Sequence, residues 1–274
     1  MRIIIAFITV IMTVFSVNAQ NVELGLWGGV SLYSGDFDSD VLGDYFKTLE
    51  PAGGILLRLN PSDPLSVEFG VNLGKISGED GVTNNNEFRN LNFRSKISEF
   101  SLKFNWNFLR LGNPRGTEVV PYLLAGGSVF HFNPEASFDG NWIELQPLGT
   151  EAQGVPGYKD PYSLTAFSVL MGGGLKFIIS QKMTIGLEFA GRMTNTDYLD
   201  DVTSDEVNYL DVLSNGSLAA SISNPNIKDT EAQNVIYKRG GPFKDWFYMG
   251  GISFSFAFGG GDGVNSKGIG CPTF

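Results

Sequence analysis

The sequence predicts an all-β fold: an eight-stranded antiparallel up-and-down transmembrane β-barrel of the outer-membrane type. Three observations carry this reading. Eight segments alternate apolar and polar residues with a period of two, their connections alternate between short and long, and their polar face carries small residues with equal numbers of opposite charges.

The segments are residues 22–33, 52–59, 65–75, 93–108, 119–132, 166–179, 183–194 and 246–258. Each has at least eight residues, and most reach the roughly 9–11 that a tilted strand needs to cross a bilayer. The first places Glu23, and the second Arg58, on the polar face. The third sets Leu65, Val67, Phe69, Val71 and Leu73 against Ser66, Glu68, Gly70, Asn72 and Gly74. The fourth contains "FSLKFNWNF", where Phe100, Leu102, Phe104, Trp106 and Phe108 alternate with Ser101, Lys103, Asn105 and Asn107, and Glu99 extends the polar row. The fifth runs through "LAGGSVF" and puts His131 in the polar phase at its end. The sixth carries Lys176 beyond "LMGGGLK". The seventh sets Met183, Ile185, Leu187 and Phe189 against Thr184, Gly186, Glu188 and Ala190, with Arg192 following, and the eighth sets Ile252, Phe254, Phe256 and Phe258 against Ser253, Ser255 and Ala257. Glycines inside these runs point to curvature or to room for a neighbouring ring.

Residues 60–64, 110–118 and 180–182 form short connections, whereas 35–51, 77–92, 133–165 and 195–245 are long. Short turns at one end and long loops at the other describe an even-stranded barrel with both termini on the periplasmic side. In the last long loop, Thr203 and Glu206 read as a capping box, with Val207, Leu210 and Leu213 at helical spacing and Gly216 as a stop.

A soluble sandwich or lipocalin-like barrel would turn the apolar face inward, and a membrane barrel turns it outward. Charge distribution favours outward. Glu23, Glu68, Glu99 and Glu188 oppose Arg58, Lys103, Lys176 and Arg192 on the polar face, and buried ions must pair. The apolar rows carry no charge until Lys75. Lys103 therefore requires an acid across the lumen, with Glu188 and Glu68 as the candidates. Trp27, Trp106, Tyr122, Trp246 and Tyr248 stand near segment ends, as in an aromatic girdle, although Trp27 falls in the lumen phase.

Residues 1–19 combine Arg2, an apolar run and a small-residue end at Val17 and Ala19, the pattern of a secretory signal peptide. This leaves the barrel over 20–258 and a glycine-rich periplasmic tail over 259–274. A net charge of −10 argues against nucleic acid or anionic lipid as a partner held by bulk charge, and the one cysteine, Cys271, cannot form an internal disulfide.

No catalytic constellation is evident, and no cofactor is expected. His131 is the only histidine and lies out of phase with Ser128. Asp36, Asp38 and Asp40 before Gly43 resemble the start of a calcium loop, but Lys47 stands where the bidentate glutamate would be, so a solvated acidic loop is expected and no metal. The cluster Asp197, Asp200, Asp201, Asp205 and Glu206 reads the same way.

Two loop segments combine aromatics with turn formers: "GVPGYKDPYSL", which holds Pro156, Gly157, Tyr158, Asp160, Pro161 and Tyr162, and "TDYLDDV", which holds Asp197, Tyr198, Asp200 and Asp201. Such loops are often ordered and are candidate partner surfaces. With "PYLLAGGSVFHFNP" and the terminal "CPTF", they resemble the PorG-like outer-membrane proteins of the type IX secretion system. The resemblance implies a non-enzymatic barrel that anchors or assembles a periplasmic ring built by a lipoprotein and its partner (PorK and PorN, or GldK and GldN). The short turns and the tail, with Lys267, Cys271, Pro272 and Phe274, are then the candidate contacts for that ring.

Overall fold

The computed structural model describes residues 22–38, 44–81, 89–112, 116–227, 234–242 and 244–258. The proposed signal peptide and the tail, with Lys267, Cys271, Pro272 and Phe274, lie outside these residues, as do Asp40 and Gly43.

Eight strands form the wall: β1 (Val22–Ser34), β2 (Glu50–Ser62), β3 (Leu65–Glu79), β4 (Asn92–Asn107), β5 (Glu118–Phe138), β6 (Thr165–Ser180), β7 (Met183–Thr194) and β8 (Trp246–Phe258). Every strand pairs antiparallel with its sequence neighbours, and β1 pairs with β8, from Val22 opposite Phe258 to Ser34 opposite Trp246. The sheet is therefore a closed eight-stranded up-and-down barrel, as the alternation predicts.

Side-chain period then sorts the residues into two environments. Leu26, Ile55, Leu73, Phe100, Phe104, Val129, Phe167, Phe189, Ile252 and Phe254 face outward and are exposed. Arg58, Glu68, Glu99, Lys103, Lys176 and Arg192 are buried in the lumen. The outer face is apolar and the interior is charged. That inverts a water-soluble barrel and matches one whose solvent is lipid.

Tyr122 and His131 face the opposite way from the sequence expectation. Tyr122 faces the lumen, 2 % exposed, and does not belong to an outer girdle. Its ring fits because β6 carries Gly174 opposite it; a Cβ there would sit 2.7 Å from the Tyr122 hydroxyl. His131, read as lumenal, faces outward beside Thr165, at 3.4 Å. Phe130 and Phe132 take the inward positions because loop residues cover that end of the lumen with apolar groups.

At the long-loop end the interior is aromatic and not charged. Tyr33, Phe93, Phe130, Phe132 and Phe247 from the wall pack with Phe37, Leu199 and Val202 from the loops. The filling thus has two storeys, ionic toward the short turns and apolar beneath the loops.

The last long connection holds a ribbon, in which Glu206–Asn208 pairs with Ile236–Lys238, and two short helices, α1 (Tyr209–Ser214) and α2 (Ser217–Ser223). The expected capping box does not form. Thr203 gives both its amide and its hydroxyl to Glu151, and Glu206 lies in the ribbon, so Asn208 caps α1 by accepting from the Leu210 amide. Gly216 separates the helices, and the chain turns there with φ 127°.

Candidate functional site

Strand register assembles the ionic layer. Glu23 lies opposite Arg58, Arg58 opposite Glu68, and Glu68 opposite Lys103, so four alternating charges form one row across β1 to β4. Arg58 donates to Glu23 and Glu68, each at 2.9 Å. Lys103 lies 2.5 Å from Glu68 and crosses the lumen to Glu188 on β7 at 2.7 Å, so it engages both candidate acids. Tyr122 donates to the other Glu188 oxygen at 2.8 Å.

A second crossing lies above the first. Arg192 on β7 donates twice to Glu99 on β4, at 3.1 and 3.3 Å, and Asn72 and Ser128 complete the Glu99 shell. Trp27 also belongs here: its indole N–H donates to Asn72 at 2.8 Å, over space left open by Gly54.

Lys176 departs from the expectation that lumen charges pair. Its ammonium donates to Ser66 and Asn107 and sits 4.7 Å from the centre of the Tyr122 ring; no ion pair forms at it among the described residues. Arg58 and Lys103 have between them taken Glu23, Glu68 and Glu188. Equal counts of opposite charge do not by themselves dictate pairing.

The space left among Trp27, Glu68, Lys103, Glu188 and Arg192 is a cavity of about 20 Å³. That holds about one water. The lumen is filled by its own side chains.

The two singled-out loop segments meet above this layer. Tyr162 stacks on Tyr198, ring centres 4.2 Å apart, and donates to Asp201 at 2.7 Å. Arg239 closes the arrangement from the other side, donating to the Asp201 carbonyl at 2.6 Å, to Thr150 at 2.8 Å and to the Asp201 carboxylate at 3.1 Å. Tyr158 ties the first segment to α1 through Asp211 at 2.7 Å. Pro156, Gly157, Asp160 and Pro161 stay exposed on the turn, where Gly157 adopts φ 98°, and Asp197 is half-buried. Far from being a solvated acidic cluster, Asp200 and Asp201 are buried.

Burial governs the protonation of these acids. It pushes Glu151 up to about 7, against the pull of Arg239, and Asp197 up to about 6, with Asp36 adding to the effect. Asp200 and Asp245 lie well above the usual carboxylate range, also chiefly through burial. Their geometry agrees. The Tyr33 hydroxyl accepts from the Asp36 amide and lies 2.5 Å from Asp200 and 2.7 Å from Asp245. A hydroxyl has one proton to give, so one of those two carboxyls must supply the other.

Tyr33, Thr150, Glu151, Arg239 and Asp245 were not singled out by sequence. Their contacts span from about 40 to more than 200 residues, and no local spacing marks them. Asp36 accepts from the Gly241 amide at 2.6 Å and Asp38 from Ser34 at 2.8 Å. Ser128 and His131 point to opposite sides of β5.

A closed eight-stranded barrel with an apolar exterior, a self-filled charged lumen and a bonded cap of loops defines the class: a small membrane-type β-barrel. Residues 2–224 match a family described as a domain of unknown function, DUF6089, and the chain belongs to that family. No curated protein matches the chain. Among solved structures, it is similar to Neisserial surface protein A (8 % identity, 86 % of this chain and 97 % of that one, TM-score 0.41). It is also similar to the outer membrane protein OprG of Pseudomonas aeruginosa (13 %, 88 % and 98 %, 0.41) and outer membrane protein W of E. coli (12 %, 87 % and 99 %, 0.35). The closed strand pairing, from β1 round to β8, defines the barrel.

Proposed function

We propose that the protein is a non-enzymatic, non-conducting integral barrel of the outer membrane that works as a docking and anchoring element. In this reading the short turns and both termini are periplasmic and the capped loops face outside. The observation that carries it is the lumen spanned by the Lys103 and Arg192 crossings, where the cavity left among the described residues is about 20 Å³. A wall built to span lipid but not to conduct has its two ends left for work.

The finer reading rests on the sequence resemblance to PorG-like proteins. It makes the chain a component of the type IX secretion machinery, holding a periplasmic ring of the PorK and PorN, or GldK and GldN, kind at the membrane. A stand-alone small barrel with an adhesive or membrane-stabilising role is the second reading, favoured by the ordered cap, which joins the two singled-out loop segments through Tyr162 and Asp201.

One measurement tests the barrel common to both readings and a second separates them. Purified protein in planar bilayers should show no stable channels; steady conductance would overturn the non-conducting barrel. Pull-down from solubilised envelopes should bring the ring lipoprotein with it, and its absence after mild cross-linking would leave the stand-alone barrel.

A further inference from the structure

The outer face of β3, β4 and β5 changes character within one residue row at the long-loop end. Val71, Leu73, Phe100 and Val129 are exposed apolar residues, 47, 60, 55 and 40 % accessible. Leu73 lies in one register row with Ser98 and His131. The next row up, in side-chain phase, holds Lys75, Lys96 and Asn133: Lys75 is the direct cross-strand partner of Lys96, and Lys96 of Asn133.

Two features of the lysine pair call for an occupant. Like charges directly opposite on one sheet face are destabilising. Local carboxylates resolve the clash only in part. Glu135 bonds Arg94 at 2.6 Å through one oxygen and Lys96 at 3.2 Å through the other, so Lys96 shares its acid with an arginine; Glu144 accepts from Asn133, and Glu50 accepts from Ser77. Lys75 forms no ion pair among the described residues, and Glu79 stands four residues higher on its strand.

Height identifies the occupant. Lys75 stands ten residues above Leu65, and Lys96 ten above Trp106; Leu65 and Trp106 are themselves partners at the short-turn end. At about 3.3 Å per residue and a tilt of about 40°, the lysines lie about 25 Å up the wall, the height of an apolar band. They stand where headgroups meet acyl chains, over exposed side chains that only acyl chains would cover.

We propose that Lys75 and Lys96, flanked by Ser98, His131 and Asn133, seat the phosphate of a membrane-lipid headgroup in the leaflet on the long-loop side. The inference rests on the membrane reading above and goes beyond it. The net charge of −10 makes bulk attraction to anionic lipid unfavourable, so the seat depends on these two side chains.

The test uses the full chain folded into nanodiscs of phosphatidylcholine doped with diphosphoryl lipid A, with retained lipid identified by native mass spectrometry. The unaltered protein should retain lipid A over phosphatidylcholine. The double variant K75Q/K96Q should lower that ratio about thirtyfold, from the usual strength of two lysines at a charged surface. The double variant K159Q/K238Q, which removes the same charge from exposed loop positions, should leave it unchanged. Equal retention in K75Q/K96Q, equal loss in K159Q/K238Q, or displacement of lipid A by free inorganic phosphate would each overturn the proposal. Failure of the unaltered chain to insert, read as a missing heat-modifiable band on gels, would sink the membrane reading instead.

Discussion

Arg192 on β7 reaches across the lumen to Glu99 on β4 and binds both carboxylate oxygens, at 3.1 and 3.3 Å, with both side chains at most 2 % exposed. The two strands are not neighbours in the wall. This pair is therefore a strut between opposite sides of the barrel, not a feature of one sheet face.

Removing one end of the strut should cost more than removing both. Arg192→Met leaves Glu99 with only Asn72 and Ser128, and the expected loss is about 3–5 kcal/mol. The double change Arg192→Met with Glu99→Leu should recover much of it. Urea midpoints of the refolded protein in detergent check this; additive losses would show that the groups are not coupled.

Lys103 and Lys176 should respond differently to the same change. Lys103→Met leaves Glu188 with only the Tyr122 hydroxyl and Glu68 with only Arg58, at a cost of about 3–5 kcal/mol. Lys176→Met gives up hydrogen bonds to Ser66 and Asn107 and a ring contact. It should cost less than about 2 kcal/mol, because no carboxylate is left without its partner. Equal destabilisation in thermal melts would contradict the pairing described.

The cap should loosen as pH rises. Glu151 has a folded value of about 7, above its ordinary 4.5, so the native state holds its proton more tightly than the unfolded chain does. Its contribution is fully present below about pH 4.5 and lost as pH climbs through 7. Amide exchange at Leu199–Thr203 should quicken over that window, and Glu151→Gln should flatten most of the change. Asp197, raised to about 6, leaves a smaller slope of the same sign. Exchange that slows with rising pH, after correction for intrinsic rates, would refute the assignment.

Tyr162 joins the two loop segments by a stack and a hydrogen bond. Tyr162→Phe removes only the bond to buried Asp201, for about 1–3 kcal/mol of local stability. Tyr162→Ala also removes the stack on Tyr198 and should expose both segments to protease. A Tyr162→Ala cap as resistant as the parent would mean that the segments are ordered separately.

The wall was legible because period-two alternation is a local signal, and in β4 the row from Phe100 to Phe108 leaves one choice of face. The candidate acids of Lys103 were legible as a set of two, and Lys103 meets both. The Arg192–Glu99 crossing was not, because shear sets which residues face each other across a barrel. The phase of His131 was misread where a polar residue stands outward above the apolar band while Phe130 and Phe132 point in beneath loops. The capping box failed because Thr203 had a stronger partner in Glu151, 52 residues away. Local rules describe what a segment can do alone; the cap is made of contacts between segments.

The seam between β1 and β8 has a kinetic meaning. It pairs Val22 with Phe258, the first and last described residues, along thirteen matched positions. Until β8 pairs with it, β1 keeps one edge open, and that row of N–H and C=O groups invites pairing with any other strand it meets. The wall is closed only when its first and last strands meet, so closure requires segments more than 200 residues apart in the chain to find each other.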